Sequence, residues 1–161
     1  MATSGPDRSG LTHSIVSAAI RVGDVMTRDV ITLSPDHSFQ EALTLIARHR
    51  FRHLLVVKPD GYLIGVLSDR DLLRSMSREP HWDGATVAEV MKTQLVTVQS
   101  ETLLSTAIAE MLTRRINCLP VVDTEMQVCG ILTSTDLLRA FQQVQEWIER
   151  AASQEGRSLC L

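Results

Sequence analysis

Laid over itself at an offset of 65 residues, the sequence matches Val22–Arg74 to Val87–Arg139 without a gap. Identical pairs include Val25/Val90, Met26/Met91, Thr32/Thr97, Ala42/Ala107, Arg50/Arg115, Leu54/Leu119, Val56/Val121, Val57/Val122, Gly65/Gly130, Leu67/Leu132 and Asp71/Asp136. Leu72-Leu73-Arg74 repeats as Leu137-Leu138-Arg139, and pairs such as Leu43/Ile108 and Ser68/Thr133 are conservative. Self-similarity at a fixed offset marks duplication, in which one unit covers the apolar face of the next. Two copies are too few for a long solenoid and predict two halves related by a pseudo-two-fold. A chain of 161 residues can bury roughly 70% of its unfolded surface, so it needs no disulfide or metal staple.

Each copy reads alike. A short turn, Val22–Met26, leads into a brief apolar strand, Val30–Leu33. Ser34-Pro35-Asp36-His37-Ser38 breaks that strand and caps a helix. Along the helix Phe39, Ala42, Leu43, Ile46 and Ala47 keep the spacing of one amphipathic face, repeated by Leu104, Ala107, Ile108, Met111 and Leu112. The nearly continuous apolar strand Leu54–Val57 predicts burial on both faces. Lys58-Pro59-Asp60-Gly61 is turn chemistry; a third strand, Tyr62–Leu67, follows, and Ser68 opens a second helix. The predicted class is α/β (α+β), as β-α-β-β-α twice over in one module. The boundaries are a polar N-terminal segment and lead-in helix (1–21), repeat one (22–76), a linker containing Pro80, Trp82 and Gly84 (77–86), repeat two (87–141), and a C-terminal helix extension and tail (142–161). Through that extension Leu137, Phe141, Val144 and Ile148 keep helical spacing, with Trp147 beside them. The first copy stops near Met76 without such a stripe, which points to a partner.

Composition narrows the function. The apolar fraction is 44% and the charged fraction 22%, which excludes a largely disordered chain. Sixteen basic residues stand against nineteen acidic, a net of −3, so no global basic field draws nucleic acid or an anionic membrane. The cysteines Cys118, Cys129 and Cys160 are odd in number and form no C-x-x-C pair, which argues against a disulfide framework or a thiolate zinc site. The N-terminus lacks a charged-then-apolar signal pattern, and no apolar run approaches the ~18–20 residues that span a bilayer. A soluble, cytoplasmic protein is expected. His13, His37, His49, His53 and His81 lack metal spacing, and no nucleophile-elbow, zincin or Walker motif occurs. No catalytic residue, no metal and no enzyme activity are predicted. Cys118, on a buried strand, reads as a core thiol.

The informative chemistry is Gly65-Val-Leu-Ser68-Asp-Arg-Asp71 and its copy Gly130-Ile-Leu-Thr133-Ser-Thr-Asp136. A hydroxyl sits where a strand gives way to a helix, with a carboxylate three residues on. Such a carboxylate can accept charge-assisted hydrogen bonds from both hydroxyls of a ribose, and the free N–H groups of a helix start favour anions. The same spacing is also a capping box that simply starts a helix. Glycine at Gly65 and Gly130 permits close backbone approach. The densest basic run is Arg48-His49-Arg50-Phe51-Arg52-His53. Arg48 and Arg50 complement a helix C-terminus, whereas Arg52 and His53 lie beyond it and can reach a phosphate. Arg70 serves phosphate or is a solvated helix residue.

The pattern V-M-T-x-x-V-I-T-L, then an amphipathic helix, then H-L-L-V-V and G-V-L-S-D-R-D-L-L resembles the CBS domain, named after cystathionine β-synthase. Two in tandem, over about Val22 to Arg139, resemble a CBS pair, or Bateman module. The resemblance implies a regulatory module that binds adenosine-containing ligands in clefts between the halves and pairs into flat dimers. It implies that Asp71 and Asp136 hold ribose, beside Ser68 and Thr133. It implies that the adenine is framed by Thr27, Ile31, Arg52 and His53, and by Lys92, Val96, Asn117, Cys118 and Pro120. Each carboxylate would face the framing segments of the other repeat. Arg52 and His53 match uncharged Asn117 and Cys118, so unequal sites are expected, with the phosphorylated nucleotide at Asp136. Lys92 is the candidate cation near Asp71. Departures from the pattern are Leu55 where Pro120 stands and Lys58 where Asp123 stands. The expected ligand is AMP, ADP or ATP, ahead of S-adenosylmethionine or NAD, with no cofactor required. The expected partners are a second copy of the chain and an unknown regulated protein. The alternative is a ligand-free dimerisation or protein-interaction module. Nucleic-acid binding through Arg48–His53 has less support, because aromatics are few.

Overall fold

The computed structural model describes residues 19–49, 51–78 and 82–158. The polar segment 1–18, Arg50, Glu79–His81 and the last residues, Cys160 among them, lie outside the described residues. The first half runs α1 (Val22–Val25), β1 (Thr32–Leu33), α2 (Phe39–His49), β2 (His53–Val57), β3 (Leu63–Ser68) and α3 (Asp69–Arg78). A 3-10 turn at Trp82–Gly84 joins it to α4 (Val87–Val90), α5 (Leu104–Arg114), β4 (Cys118–Val122), β5 (Val128–Thr133) and α6 (Ser134–Ser158). The linker is thus shorter than its sequence suggested, since α3 continues to Arg78.

β1 lies parallel to β2, and β2 pairs antiparallel with β3; β4 and β5 form the matching hairpin. Both hairpins shift register at the same place, between Val56 and Val57 and between Val121 and Val122. The turn before β3 carries Gly61 at φ 85°, and its copy carries Met126 at φ 63°, where a side chain costs about 1–2 kcal/mol. The first strand is shorter than predicted, and in the second half only Val98 bridges Val121. Pro120 explains the loss: a second parallel bridge would need the N–H of position 120, which proline lacks.

The pseudo-two-fold is visible in the single bridges between the halves. Thr27 pairs with Ile131, and Lys92 with Val66; Arg21 pairs with Leu103, and Ser38 with Thr86. Each is the other shifted by one repeat, and Tyr62–Gln127 pairs equivalent positions. The lead-in of each repeat therefore lies in the opposite half. Val22 and Met26 pack with Leu104, Ala107, Met111, Leu119, Val121 and Leu132. Val87 packs with Phe39, Ala42, Leu54, Val56 and Leu67. A third cluster of Leu55, Leu63, Cys118, Val122 and Ile131 joins the two halves. This exchange accounts for the glycines. A Cβ on Gly130 would stand 2.7 Å from the Thr27 carbonyl oxygen and 3.0 Å from Met26 Sδ, and one on Gly65 would collide with Met91 Sδ. The close approach that the sequence suggested is made by the other half's chain.

Of the predicted helix faces, Phe39, Ala42, Leu104, Ala107 and Met111 are buried, while Leu43, Ile46 and Ile108 are half-buried. Ala47 and Leu112 are exposed, because eight residues at 3.6 per turn rotate the position roughly 80° off the stripe. Ser38 caps α2 through its hydroxyl, which accepts from the Glu41 N–H at 3.2 Å, while Glu41 Oε2 accepts from the Ser38 N–H at 2.8 Å. Along α6, Leu138, Phe141, Val144, Trp147 and Ile148 are exposed, while Leu137 packs on the second core.

Candidate functional site

The end of β3 turns directly into α3, and the end of β5 into α6. At each junction the capping box forms. The Ser68 N–H donates to Asp71 Oδ2 at 3.0 Å, the Ser68 hydroxyl donates to the same oxygen, and Ser68 Oγ accepts from the Asp71 N–H at 3.2 Å. At the second junction the Thr133 N–H and hydroxyl donate to Asp136 Oδ2 at 2.8 and 2.6 Å. The helix-starting role that the sequence offered is therefore real, and it consumes one oxygen of each carboxylate.

The other oxygen faces the opposite half. The Lys92 ammonium stands 2.8 Å from Asp71 Oδ1, and the Thr27 hydroxyl donates to Asp136 Oδ1 at 2.9 Å. Both partners are placed by the same backbone device: Lys92 exchanges two main-chain bonds with Val66, and Thr27 exchanges two with Ile131. Arg74 and Arg139, one turn along each helix, lie 3.7 and 4.0 Å from the same Oδ1 atoms. The carboxylates are 7% and 5% exposed. Burial alone would raise the Asp71 carboxyl, but the Lys92 ammonium and the Ser68 hydroxyl and N–H outweigh it and hold it below the ordinary carboxylate range.

Each carboxylate opens into a cleft between the halves. The Asp71 cleft has a volume of about 250 Å³ and holds Ser68, Asp71, Lys92, Val96, Cys118 and Pro120. The Asp136 cleft has a volume of about 600 Å³ and holds Thr27, Ile31, Thr133 and Asp136. Arg52, His53, Arg70 and Asn117 line both. All fourteen residues singled out from the sequence thus fall on one cleft or the other. Arg52 and His53, expected at Asp136, serve both rims, and Arg52 is held 3.5 Å from Asp69.

Sequence reasoning passed over several lining groups. Arg74 and Arg115 add cations to the Asp71 cleft, and His49, Phe51 and Arg139 line the Asp136 cleft. The Leu-Leu-Arg identity between the copies was the available signal for Arg74 and Arg139. The Asp71 cleft is the more cationic, with Arg52, Arg70, Arg74, Lys92 and Arg115 against Asp69 and Asp71. Burial lowers the pKa of His53, against the opposing pull of Asp69, which favours the neutral ring. Burial pushes the Cys118 thiol up to about 12, so it is protonated and inert at neutral pH. Among the described residues no cluster of three or more His, Cys, Asp or Glu could hold a metal ion. No helix among them is long and apolar enough to cross a membrane.

A family model described as CBS domain matches twice, at residues 22–78 and 87–143. The chain is similar to the CBS domain pair of protein MJ0100 in complex with 5′-methylthioadenosine and S-adenosyl-L-methionine. Identity there is 26% and the TM-score 0.72, covering 78% of this chain and 98% of that one. It is also similar to CBSX2 in complex with AMP, at 30% identity and a TM-score of 0.70, again covering 78% and 98%. An inosine-5′-monophosphate dehydrogenase of Mycobacterium tuberculosis is 31% identical over an alignment of 143 residues that covers 83% of this chain and 26% of the dehydrogenase. The chain spans between 23% and 62% of the length of the curated relatives it matches.

Proposed function

The chain belongs to the CBS-domain family, as a tandem pair, and on that premise we propose that it is a regulatory module taking an adenine nucleotide in the Asp136 cleft. CBS pairs solved with 5′-methylthioadenosine, S-adenosylmethionine and AMP share one ligand part, adenosine. The observation that carries the reading is Asp136 itself. Its Oδ1 meets a neutral hydroxyl rather than an ammonium and opens into about 600 Å³, within the range of small-molecule sites. A ribose hydroxyl can bond there without breaking a close ion pair. Ile31 and Ile131 offer apolar flanks for adenine. Arg52, Arg70 and Arg139 supply cations for phosphate, Arg being suited to bidentate phosphate contact. AMP, ADP and ATP are favoured on that account over S-adenosylmethionine and NAD. The module works as a sensor rather than a catalyst, on the cytoplasmic nucleotide pool.

Thermal unfolding against AMP, ADP, ATP, S-adenosylmethionine, NAD and a GMP control tests this. A ligand at 100 times its Kd adds about 2.7 kcal/mol, a rise on the order of 5–10 °C for a domain of this size. Asp136→Asn, which keeps the shape of the cap but not the charge, is expected to abolish an adenosine-selective shift. A flat panel, or a shift that survives Asp136→Asn, overturns the assignment.

A second reading rests on a different observation. α3 and α6 expose apolar residues at equivalent positions, Leu73 with Leu138 and Met76 with Phe141. α6 then continues the stripe from Phe141 to Val144 and Ile148, at steps of three and four residues, with Trp147 beside them. That is the spacing of a helix-pairing seam. Its charges Glu146 and Arg150 pair with each other along the helix at 3.3 Å. With those charges satisfied within one helix and the stripe repeated on α3 and α6, the occupant we infer is a second copy of this chain. Pairing is the response that nucleotide binding would bias, in proportion to its differential affinity for the two arrangements.

A further inference from the structure

We propose that Lys92 occupies the ribose position of the Asp71 cleft from within, so that position 27/92 decides which cleft admits adenosine. The inference concerns the cleft that the nucleotide reading leaves out, and it rests on the same role for the carboxylates. The two junctions match atom for atom at the cap, where Oδ2 takes the hydroxyl and N–H of Ser68 or Thr133. They differ at Oδ1, the oxygen a ribose would use. Thr27 places a short neutral hydroxyl there; Lys92 places an ammonium at 2.8 Å.

A hydroxyl replacing Thr27 exchanges one neutral hydrogen bond for another. A hydroxyl replacing Lys92 must break a charge-assisted bond to a carboxylate, roughly twice as strong as a neutral one. The longer side chain also takes up space, and the Asp71 cleft is the smaller, about 250 Å³ against 600 Å³. Lys92 and Thr27 hold equivalent backbone bridges in the two halves, so the chain at position 92 accepts a threonine without a change of path.

Isothermal titration with adenosine and with AMP tests this on the full chain. Adenosine isolates the ribose contact from any phosphate contact. Lys92→Thr is expected to add one adenosine site per chain relative to the parent. Thr27→Lys is expected to weaken the Asp136 cleft about tenfold or more. If the parent binds none and Lys92→Thr binds one, the Asp136 reading falls while the role of Lys92 stands. If Lys92→Thr, unfolding cooperatively near the parent temperature, gains no site, the proposal is overturned. It is equally overturned if Lys92→Thr loses affinity for AMP, which would make Lys92 a phosphate ligand.

Discussion

A buried carboxylate is stable only while its oxygens are bonded, and Asp71 meets that need with Ser68 on one oxygen and Lys92 on the other. This makes its contribution to stability pH-dependent. With its folded pKa held below the ordinary value, the contribution is full above the unfolded carboxyl value near ~3.9 and is lost as pH falls through the folded one. His53 acts in a higher window. Its folded pKa is lowered by burial, with Asp69 and Asp71 pulling it up and Arg52 and Lys92 pushing it down. The unfolded chain therefore binds the proton first, and stability falls as pH drops below ~6.5. Denaturant midpoints measured from pH 7.5 to 5 are expected to decline for the parent and to decline less for His53→Asn. An equal slope in both would remove His53 as the cause. At this scale the sequence left cap and ligand group as alternatives for Asp71 and Asp136. Both oxygens had to be seen to show that the cap uses one and leaves the other to the opposite half.

Elements that looked equivalent in sequence diverge where one residue changes the backbone's hydrogen-bonding capacity. β1 is a short parallel strand and its copy a single bridge, because Leu55 can donate and Pro120 cannot. The glycine at the centre of β3 and β5 is the reverse case, alike in both copies because the same crossing occurs twice. Gly130→Ala would bring a methyl against the Thr27 carbonyl and Met26, overpacking worth about 1–3 kcal/mol. Chemical denaturation is expected to show that loss with an unchanged slope. A neutral result would mean that the lead-in chain gives way. The turn, the amphipathic faces and the capping boxes were legible because they depend on neighbours within a few residues. The crossing was not, because it joins one half's lead-in to the other half's strand, Thr27 to Ile131 and Lys92 to Val66, well beyond the reach of any local pattern.

Over the whole molecule, each half completes the core of the other, with Val22 at 0% exposure in the second core and Val87 at 0% in the first. Neither half closes its core by itself. What stays outside the two cores is the apolar side of α6, where Phe141 and Trp147 are 61% and 58% exposed. Sedimentation velocity is expected to find a dimer, and Phe141→Glu with Trp147→Glu to yield a folded monomer. A monomeric parent at all concentrations would sink self-pairing through this helix. The duplication, the order of elements and the pseudo-two-fold were determined by the sequence alone, since repetition and local periodicity are written in it directly; the ribose and adenine-framing positions and the crossed arrangement of the clefts came from family resemblance. Only the tertiary structure decided that Lys92, the expected cation of the Asp71 site, stands on the one carboxylate oxygen the cap leaves free while the Thr27 hydroxyl takes the matching oxygen of Asp136, that the clefts differ in volume, and that the Asp71 cleft is the more cationic. The physical reason is that a side chain's partner is set by where the folded backbone delivers it: the sequence shows that positions 27 and 92 differ, but not which carboxylate oxygen each side chain reaches or at what distance.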